Sequence, residues 1–285
     1  MTVPIALTIA GSDSGGGAGI QADLKTFQEL GVFGTSVLTA VTAQNTMGVQ
    51  GVYPMEREAV KTQLESVGAD FLISALKTGM LFDADIIEET ALSVTHFGWK
   101  NLVVDPVMIA KGGAPLLRSE AAAALKELLI PHALVVTPNI PEAEVLAGMS
   151  IVSEADCVRA AEKMLALGVH AVVMKGGHRE GESKADDLYM DQTGKSFIMS
   201  AKRIDTKDTH GTGCTFAAAL TAGLAKGKAL PDAVVEAKKF IHAAISNGLG
   251  IGNGHGPTNH WAFSELKDEG GMDQEVNVVA VHYSY

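Results

Sequence analysis

The segment Gly211–Gly213, followed by Cys214, is the most specific chemical feature of this 285-residue sequence. It precedes a stretch whose apolar residues recur at helical spacing, namely Phe216, Leu220 and Leu224. Glycines at the start of a helix allow consecutive backbone N–H groups to point at one anion, and the helix dipole adds to the attraction. The alternative is a helix-capping turn without function. The chemical interpretation is an anion hole that stabilises charge on a transferred phosphoryl group.

Cys214 is expected in the first turn of that helix, where the positive end of the dipole favours a thiolate. A thiolate can accept a proton from an attacking alcohol, whereas a small buried cysteine only packs against its neighbours. Both interpretations stay open from the residues alone. The one other cysteine is Cys157, which excludes a disulfide framework and a cysteine-rich zinc site and makes a reducing cytoplasm the expected location.

Asp105 and Glu142 are the acidic pair best suited to a metal. Each follows a predicted buried strand, and the carboxyl ends of parallel strands meet at the sheet edge where ligands bind. Mg²⁺ prefers oxygen ligands and keeps several waters, so one or two carboxylates are sufficient. The alternative is local capping, since Asp105 precedes Pro106 and Glu142 follows Pro141 in a first helical turn.

Polar or glycine-rich residues stand at the carboxyl end of each of the six predicted strands: Gly11–Gly19, Gln44–Asn45, Gly79–Met80, Asp105–Met108, Thr137–Glu142 and Lys175–His178. Their convergence on one sheet edge indicates a site more strongly than any single motif. The first loop does not match the G-x-G-x-x-G pattern of dinucleotide binding, and it is either a flexible turn or a cover over a small ligand. Lys175 either faces phosphate or is solvated, and His178 and His210 are either turn residues or site residues.

The elements that must position these residues alternate between short apolar strands and amphipathic helices. The predicted strands are Ile5–Ala10, Ser36–Ala43, Ala75–Thr78, Leu102–Asp105, Leu134–Thr137 and Ala171–Lys175. Continuously apolar strands separated by helices predict an α/β fold with a mostly parallel sheet covered on both faces. Three further segments interrupt this alternation and indicate a β-hairpin: Asp187–Met190, Lys195–Ser200 and Arg203–Ile204.

We expect one domain over residues 1–263, because no linker and no internal repeat divides them. The tail, residues 264–285, is polar up to Glu275 and then carries several valines. It is expected to be a poorly ordered or loosely docked extension, and the alternative is an added edge strand or an interface strand.

Composition narrows the class of protein further. Hydrophobic residues are 47% of the sequence, which supports a large core and excludes disorder as the main state. The net charge of −11 argues against a nucleic-acid partner, although backbone amides and a metal can still hold anionic small molecules. No apolar stretch approaches the roughly 20 residues of a membrane span, so no membrane association is expected.

Six motifs, in order along the chain, resemble those of the bacterial hydroxymethylpyrimidine/phosphomethylpyrimidine kinases, a family with the ribokinase-like fold. They are Ala10–Phe27, Lys77–Met80, Asp105–Met108, Thr137–Glu142, Lys175–His178 and His210–Thr215, and the resemblance runs from Ile5 to Phe263. It implies a three-layer αβα sandwich and an enzyme that uses ATP with Mg²⁺. The implied substrates are 4-amino-5-hydroxymethyl-2-methylpyrimidine and then its monophosphate, on the way to thiamine, and the implied assembly is a homodimer.

The same resemblance implies the roles of the candidate site residues. The residues implied for the pyrimidine pocket are Gly11, Asp23, Gln44, Met80, Val107 and Cys214. Those implied for nucleotide phosphates and metal are Asn139, Glu142, Lys175, Gly176, Gly177, His178 and on to Glu180, with Gly213 and Lys238, and the anion hole is Gly211, Thr212 and Gly213. Many ribokinase-like sugar kinases have an aspartate base where this chain has Cys214, so the identity of the base stays open.

Related kinases of pyridoxal, pyridoxine and pyridoxamine are the alternative, since they share most of these motifs, including the cysteine. The discriminating segment is Thr42–Thr46, where pyridoxal-preferring members carry a Met-Asp-type sequence. Gln44 both donates and accepts hydrogen bonds, which matches a ring nitrogen beside an exocyclic amine. A non-catalytic binding protein is the third hypothesis, and the complete set of Gly-x-Gly-Cys, Asp105 and Glu142 argues against it.

Overall fold

A computed structural model describes residues 2–108, 120–177, 183–268 and 276–281 of the chain. The strands in these residues are β1 (Ile5–Ala10), β2 (Phe33–Leu38), β3 (Ala40–Asn45), β4 (Gly48–Pro54), β5 (Ala75–Thr78), β6 (Leu102–Val104), β7 (Val135–Val136), β8 (Ala171–Met174), β9 (Lys184–Asp191), β10 (Ser196–Lys202) and β11 (Val276–Ala280). The α-helices are α1 (Gly19–Glu29), α2 (Arg57–Asp70), α3 (Ala84–Phe97), α4 (Ala121–Ala124), α5 (Ile140–Ala147), α6 (Glu154–Leu165), α7 (Thr212–Ala225), α8 (Leu230–Ser246) and α9 (Ala262–Asp268). A π-helical turn, Leu125–Leu129, and a 3₁₀ turn, Ile130–His132, follow α4.

One sheet contains nine of these strands, in the order β11-β10-β9-β8-β7-β6-β5-β1-β2. The six strands from β8 to β2 in that order run parallel to one another. β9, β10 and β11 extend the sheet by antiparallel pairing on the β8 side. The prediction of a mostly parallel central sheet is therefore confirmed, and β9 and β10 are the predicted hairpin, with Arg203 and Ile204 outside it.

Helices cover both faces of the sheet. The strands β5 to β8 are therefore buried along their whole length. On one face the core includes residues of α2, α3, α5 and α6, among them Leu64, Ile87 and Met164. On the other face α7 and α8 pack on the sheet, and α1 packs beside α7 through Phe27 and Ala218. The three-layer αβα sandwich is confirmed.

Helix α7 lies between α1, α8 and the sheet, so every residue from Thr215 to Leu224 is buried. A helix that is apolar on all sides needs such neighbours, and its position is fixed by them. The helix start that carries the Gly-x-Gly sequence is consequently held by the core. Within the described ranges, no helix combines the length and apolarity needed to cross a membrane.

The predicted strand Ser36–Ala43 is wrong as a single element. The chain breaks at Thr39, whose hydroxyl donates to the Met80 carbonyl at 2.6 Å and whose N–H donates to the Ala10 carbonyl at 3.1 Å. β2 remains in the main sheet beside β1, while β3 pairs antiparallel with β4 in a separate two-stranded sheet. The apolar pattern is continuous across the break, so periodicity does not reveal that the chain changes sheets.

The tail contributes two elements to the described structure. Helix α9 extends to Asp268, and β11 pairs antiparallel with β10, from Val276 opposite Ala201 to Ala280 opposite Phe197. Val276 is buried in the core between the sheet and α8, which gives the strand an apolar anchor. For Val276–Ala280 the structure has the added edge strand that was the alternative to a loosely docked extension.

Candidate active site

A cavity of about 660 Å³ opens at the carboxyl ends of the parallel strands. Its walls come from the loops that follow the central strands, from the end of β3 and from the start of α7. Of the predicted site residues, those that line it are Gly11, Gln44, Met80, Asp105, Val107, Asn139, Glu142, Lys175, Gly177, Gly211, Thr212, Gly213, Cys214 and Lys238. The structure thus brings together residues that are spread over more than 200 positions of the sequence, from 11 to 238.

The start of α7 forms the turn in which an anion hole was predicted. Gly211 has a left-handed backbone, with φ of 80°, and a Cβ there would lie 1.8 Å from the Gly17 carbonyl oxygen. Only glycine fits this close approach of two loops. A Cβ at Gly213 would lie 3.3 Å from Lys175 Nζ and 3.5 Å from Asp105 Oδ2, so the turn faces an ion pair directly.

That ion pair joins the ends of two parallel strands. Lys175 Nζ donates to Asp105 Oδ1 at 2.9 Å, and the Thr137 hydroxyl donates to the same oxygen at 3.2 Å. Burial lowers the pKa of Lys175, but the charges of Asp105 and Glu142 outweigh it and hold this pKa above its usual value. Lys175 is therefore a fixed cation beside the glycine turn, as an anion-binding site requires.

Asn139 and Glu142 have two roles in the geometry. They form a capping box at the start of α5: Glu142 N–H donates to Asn139 Oδ1, and Asn139 N–H donates to Glu142 Oε2, both at 2.9 Å. The capping alternative is thus correct for Glu142, yet both residues also line the cavity. Burial, with the nearby charge of Asp105, raises the pKa of Glu142 to about 7, against the opposing effect of Lys175.

Cys214 lies in the cavity wall at the first turn of α7, as predicted, but its thiol is not activated. Burial raises the pKa of Cys214 to about 11, although the charge of Lys77 and a hydrogen bond from the Gly19 amide act in the opposite direction. The expectation that the helix start favours a thiolate is wrong here. Desolvation and the neighbouring carboxylates of Asp23 and Asp105 raise the pKa by more than Lys77 and the Gly19 amide lower it.

Asp23 and Gly176 do not line the cavity. Asp23 is fully buried and accepts from Lys77 Nζ at 2.7 Å and from the Thr8 hydroxyl at 2.6 Å. The Gly176 amide donates to Asp187 Oδ1 at 2.9 Å. His178 and the residues on to Glu180 lie outside the described residues.

Lys238 touches the cavity, but its ammonium group is bound within the protein. It donates to Asp187 Oδ2 at 2.8 Å and to the Ala185 carbonyl at 2.9 Å, and it is buried. Asp187 therefore holds both Lys238 and the amide of Gly176. Lys238 supports the loop after β8 in this arrangement, which differs from the direct phosphate contact implied by the resemblance.

The sequence analysis missed Asp13 and left His210 undecided. The two are a buried pair in the cavity wall, with His210 Nε2 2.7 Å from Asp13 Oδ2. An available signal was the position of Asp13 just before a run of glycines, because an aspartate there accepts hydrogen bonds from the amides of the following turn. The pairing with His210 spans 197 positions and has no local signal.

Known proteins resemble this chain in both sequence and structure. The family described as phosphomethylpyrimidine kinase matches residues 13–259. A hydroxymethylpyrimidine/phosphomethylpyrimidine kinase of Bacillus subtilis (strain 168) is 56% identical over 264 residues, which are 92% of this chain and 97% of that protein.

Two solved pyridoxal kinases share the fold. The Bacillus subtilis enzyme in an ADP complex has a TM-score of 0.86 at 44% identity, over 92% of this chain and 99% of that chain. The Staphylococcus aureus enzyme with AMP-PCP and pyridoxal has a TM-score of 0.88 at 36% identity, over 99% of this chain and 100% of that chain. Fold and cavity together define a ribokinase-like kinase. Within that class, the chain belongs to the phosphomethylpyrimidine kinase family.

Proposed function

We propose that the protein is an ATP-dependent kinase that phosphorylates 4-amino-5-hydroxymethyl-2-methylpyrimidine and then its monophosphate, for thiamine biosynthesis. One observation carries this proposal: a single cavity holds the glycine turn of α7, the Asp105–Lys175 pair and the amide of Gln44. The first two suit a transferred phosphoryl group, and the third suits an aminopyrimidine ring. The high identity to the Bacillus subtilis kinase named above supports the same activity.

The proposed roles follow from these positions. The amides of Gly211–Gly213 and the ammonium of Lys175 bind the phosphoryl group during transfer, and Gln44 binds the ring edge. Met80, Val107 and Gly11 form the wall beside the ring, where a Cβ on Gly11 would meet Met80 Cε at 2.2 Å. One cavity then serves both phosphorylations.

Proton removal differs between the two steps. A phosphate nucleophile is already ionised at pH 7, whereas an alcohol must lose a proton during attack. Because burial raises the pKa of Cys214 to about 11, its thiol is not a base at neutral pH. We therefore assign Cys214 to packing and positioning of the hydroxymethyl group, whose proton leaves late in a loose transition state and passes to an oxygen of the transferred phosphoryl group.

Asp105 and Glu142 are the residues that would hold Mg²⁺ together with ATP. Two carboxylates on one cavity fit this ion, and the described part of the chain contains no cluster of three or more acidic, histidine or cysteine ligands. That donor set suits a cation whose remaining ligands are phosphate oxygens and water. When bound, the ion neutralises the charge on the transferred phosphate.

Location and assembly complete the proposal. The low cysteine content, with Cys157 and Cys214 as the two cysteines of the sequence, supports the reducing cytoplasm, and membership of the family supports a homodimer. Phosphorylation of pyridoxal is the second candidate activity, because the two structural relatives above are pyridoxal kinases.

A coupled assay of ADP release tests these activities together. We expect turnover with the aminopyrimidine and with its monophosphate, dependence on Mg²⁺, and much slower turnover with pyridoxal. Turnover with pyridoxal, but with neither the aminopyrimidine nor its monophosphate, would make pyridoxal phosphorylation the function. ATP binding without turnover of any of the three would indicate a binding protein.

A further inference from the structure

Four polar side chains connect the first loop, strand β3 and the start of α7 beside the cavity. Asp13 is buried and accepts from the amides of Gly15, Gly17 and Ala18 at 2.8 to 3.0 Å. Its Oδ2 also lies 2.7 Å from His210 Nε2. His210 Nε2 lies in turn 3.3 Å from the Gln44 side-chain amide, and Gln44 contacts the Thr42 hydroxyl at 3.3 Å.

The carboxylate of Asp13 determines where the hydrogen of His210 lies. Burial raises the pKa of Asp13, but the hydrogen bonds from His210 and the loop amides outweigh it and lower the pKa below its usual value. An ionised carboxylate only accepts hydrogen bonds. At 2.7 Å, His210 Nε2 must therefore carry a hydrogen and donate it to Asp13.

This hydrogen conflicts with one of the two orientations of the Gln44 amide. With Nε2 of Gln44 toward His210, two N–H donors face each other at 3.3 Å. The contact of Gln44 with Thr42 disfavours the same orientation of the amide. The Thr42 hydroxyl has one hydrogen and donates it to the Ser12 carbonyl at 2.8 Å, so it presents a lone pair to whatever Gln44 atom lies 3.3 Å away.

Turning the amide by 180° removes both conflicts. Oε1 then faces His210 Nε2 as the second, weaker acceptor of the one hydrogen that Asp13 accepts, and Gln44 Nε2 donates to the Thr42 hydroxyl. One lone pair of Oε1 and one hydrogen of Nε2 remain for a ligand. Together they offer an acceptor next to a donor, which complements an exocyclic amine beside a ring nitrogen.

We propose that Asp13 and His210 are positioning residues, which fix the Gln44 amide in this orientation and so select an aminopyrimidine; the proposal rests on the proposed function. The charge on Asp13 orients the imidazole, the imidazole orients the amide, and the amide selects the ring. A site that hydrogen-bonds its ligand in this way rejects analogues that leave its polar atoms unpaired.

The backbone around Gln44 is held as firmly as its side chain. Gln44 N–H donates to Ser14 Oγ, and Ser14 Oγ donates to the Gln44 carbonyl, both at 2.8 Å. A register shift between Ala43 and Gln44 interrupts the pairing of β3 with β4 at this position. On the other side, a Cβ at Gly17 would lie 2.6 Å from His210 Cδ2, so the imidazole has little room to turn.

The test compares kcat/KM for 4-amino-5-hydroxymethyl-2-methylpyrimidine with that for the analogue lacking the 4-amino group. We expect His210→Phe to lower this discrimination ratio about tenfold, the effect of one unlocked hydrogen-bonding group. KM for ATP should stay unchanged. Asp13→Asn, whose neutral oxygen holds the imidazole less strongly, should lower the ratio about threefold.

A double-mutant cycle separates positioning from a general effect on the loop. In a Gln44→Leu background, His210→Phe should cause no further loss of discrimination, because the group it positions is gone. Asp191→Asn is the matched control, and it should leave the discrimination ratio unchanged. Asp191 is another buried carboxylate that accepts turn amides, from Thr193 and Lys195, and it does not line the cavity.

The outcomes decide separately on the inference and on the proposed function. A discrimination ratio unchanged in folded His210→Phe, or lowered equally with and without Gln44, overturns the positioning role. If His210→Phe does not fold, an unchanged ratio in folded Asp13→Asn overturns it. Failure of the unmodified protein to phosphorylate the aminopyrimidine contradicts the proposed function instead.

Discussion

Two aspartate–lysine pairs lie near the carboxyl ends of the parallel strands. They differ in whether they are exposed to the cavity. Asp23 and Lys77 are both 0% exposed and 2.7 Å apart, behind the cavity wall. Asp105 and Lys175 are 2% and 14% exposed and 2.9 Å apart, and both line the cavity. Two pairs with the same chemistry therefore lie in different surroundings: the first is closed off from the cavity, and the second faces it.

Charge in the closed pair is costly. Burial raises the pKa of Asp23 even though Lys77 is hydrogen-bonded to it, so desolvation outweighs the attraction within the pair. The open pair lies against the glycine turn of α7, where a bound anion can share Lys175 with Asp105. We infer that the closed pair orders α1 against β5, while the open pair acts on the ligand.

The largest expected effect is on the closed pair. Lys77→Met leaves the Asp23 carboxylate buried without its cation, so we expect a loss of about 3–5 kcal/mol in the free energy of unfolding. Urea denaturation followed by circular dichroism measures it. The double variant Asp23→Asn with Lys77→Met should recover part of the loss, because no uncompensated charge remains. An unfolding free energy unchanged in Lys77→Met would contradict the distinction between the pairs.

For the open pair we expect the converse result. Lys175→Met should lower kcat/KM for the pyrimidine about 10²- to 10³-fold, as removal of one charge-stabilising donor does. Its unfolding free energy should fall by only about 1–2 kcal/mol, less than in Lys77→Met, because Asp105 keeps the hydrogen bond from the Thr137 hydroxyl and lines a cavity that water can enter. Steady-state kinetics and urea denaturation of the same preparation check both values. A folded variant that loses about 3 kcal/mol or more of its unfolding free energy but keeps its kcat/KM would contradict the assignment.

Glu142, which lies beside the open pair, is expected to make the stability of the protein depend on pH. Its pKa is about 7 in the folded protein and near 4.5 when unfolded, so the folded state holds the proton more tightly. Between these values the unfolded state binds fewer protons, and stability must fall as the pH rises. Without metal, the Tm of the unmodified protein should therefore decrease from pH 5 to pH 8.

Glu142→Gln is expected to flatten that decrease in Tm and to raise the Mg²⁺ concentration needed for half-maximal rate by about tenfold or more. Thermal scans at several pH values and a Mg²⁺ titration are the two measurements. Lower stability at every pH, with an unchanged Mg²⁺ requirement, would leave Glu142 with only its capping role.

Cys214→Ala should have the smallest effect. Since burial raises the thiol pKa to about 11, we expect a similar slowing of only a few-fold for both phosphorylations. Rates are measured separately from the alcohol and from the monophosphate. A slowing at least tenfold greater for the alcohol would restore the thiolate as the base.

Local sequence patterns were sufficient for much of the fold. β1 and β5 have the predicted bounds, since each is a short run of residues buried on both faces. The change of sheet at Thr39 was not predictable, because its cause is a pair of hydrogen bonds to Ala10 and Met80 from other parts of the chain.

The site shows the same division. Position after a strand was enough to place Asp105 and Lys175 in one cavity. The resemblance implied both Asp23 and Gln44 for the pyrimidine pocket, whereas Asp23 lies behind the cavity wall and Gln44 lines the cavity. The loss of thiolate character at Cys214 depends on desolvation, and no spacing of residues reports how dry a site is.

The contact between Gly17 and Gly211 determines how this enzyme can be engineered. A side chain at Gly211 meets a rigid carbonyl oxygen at 1.8 Å, whereas one at Gly11 meets only the flexible end of Met80 at 2.2 Å. A library that randomises Gly211 is therefore expected to contain inactive clones almost exclusively. Directed evolution toward other ring substrates should instead vary Gly11, Met80 and Val107. Substitutions at these three positions are expected to be tolerated, whereas substitutions at Gly211 are not.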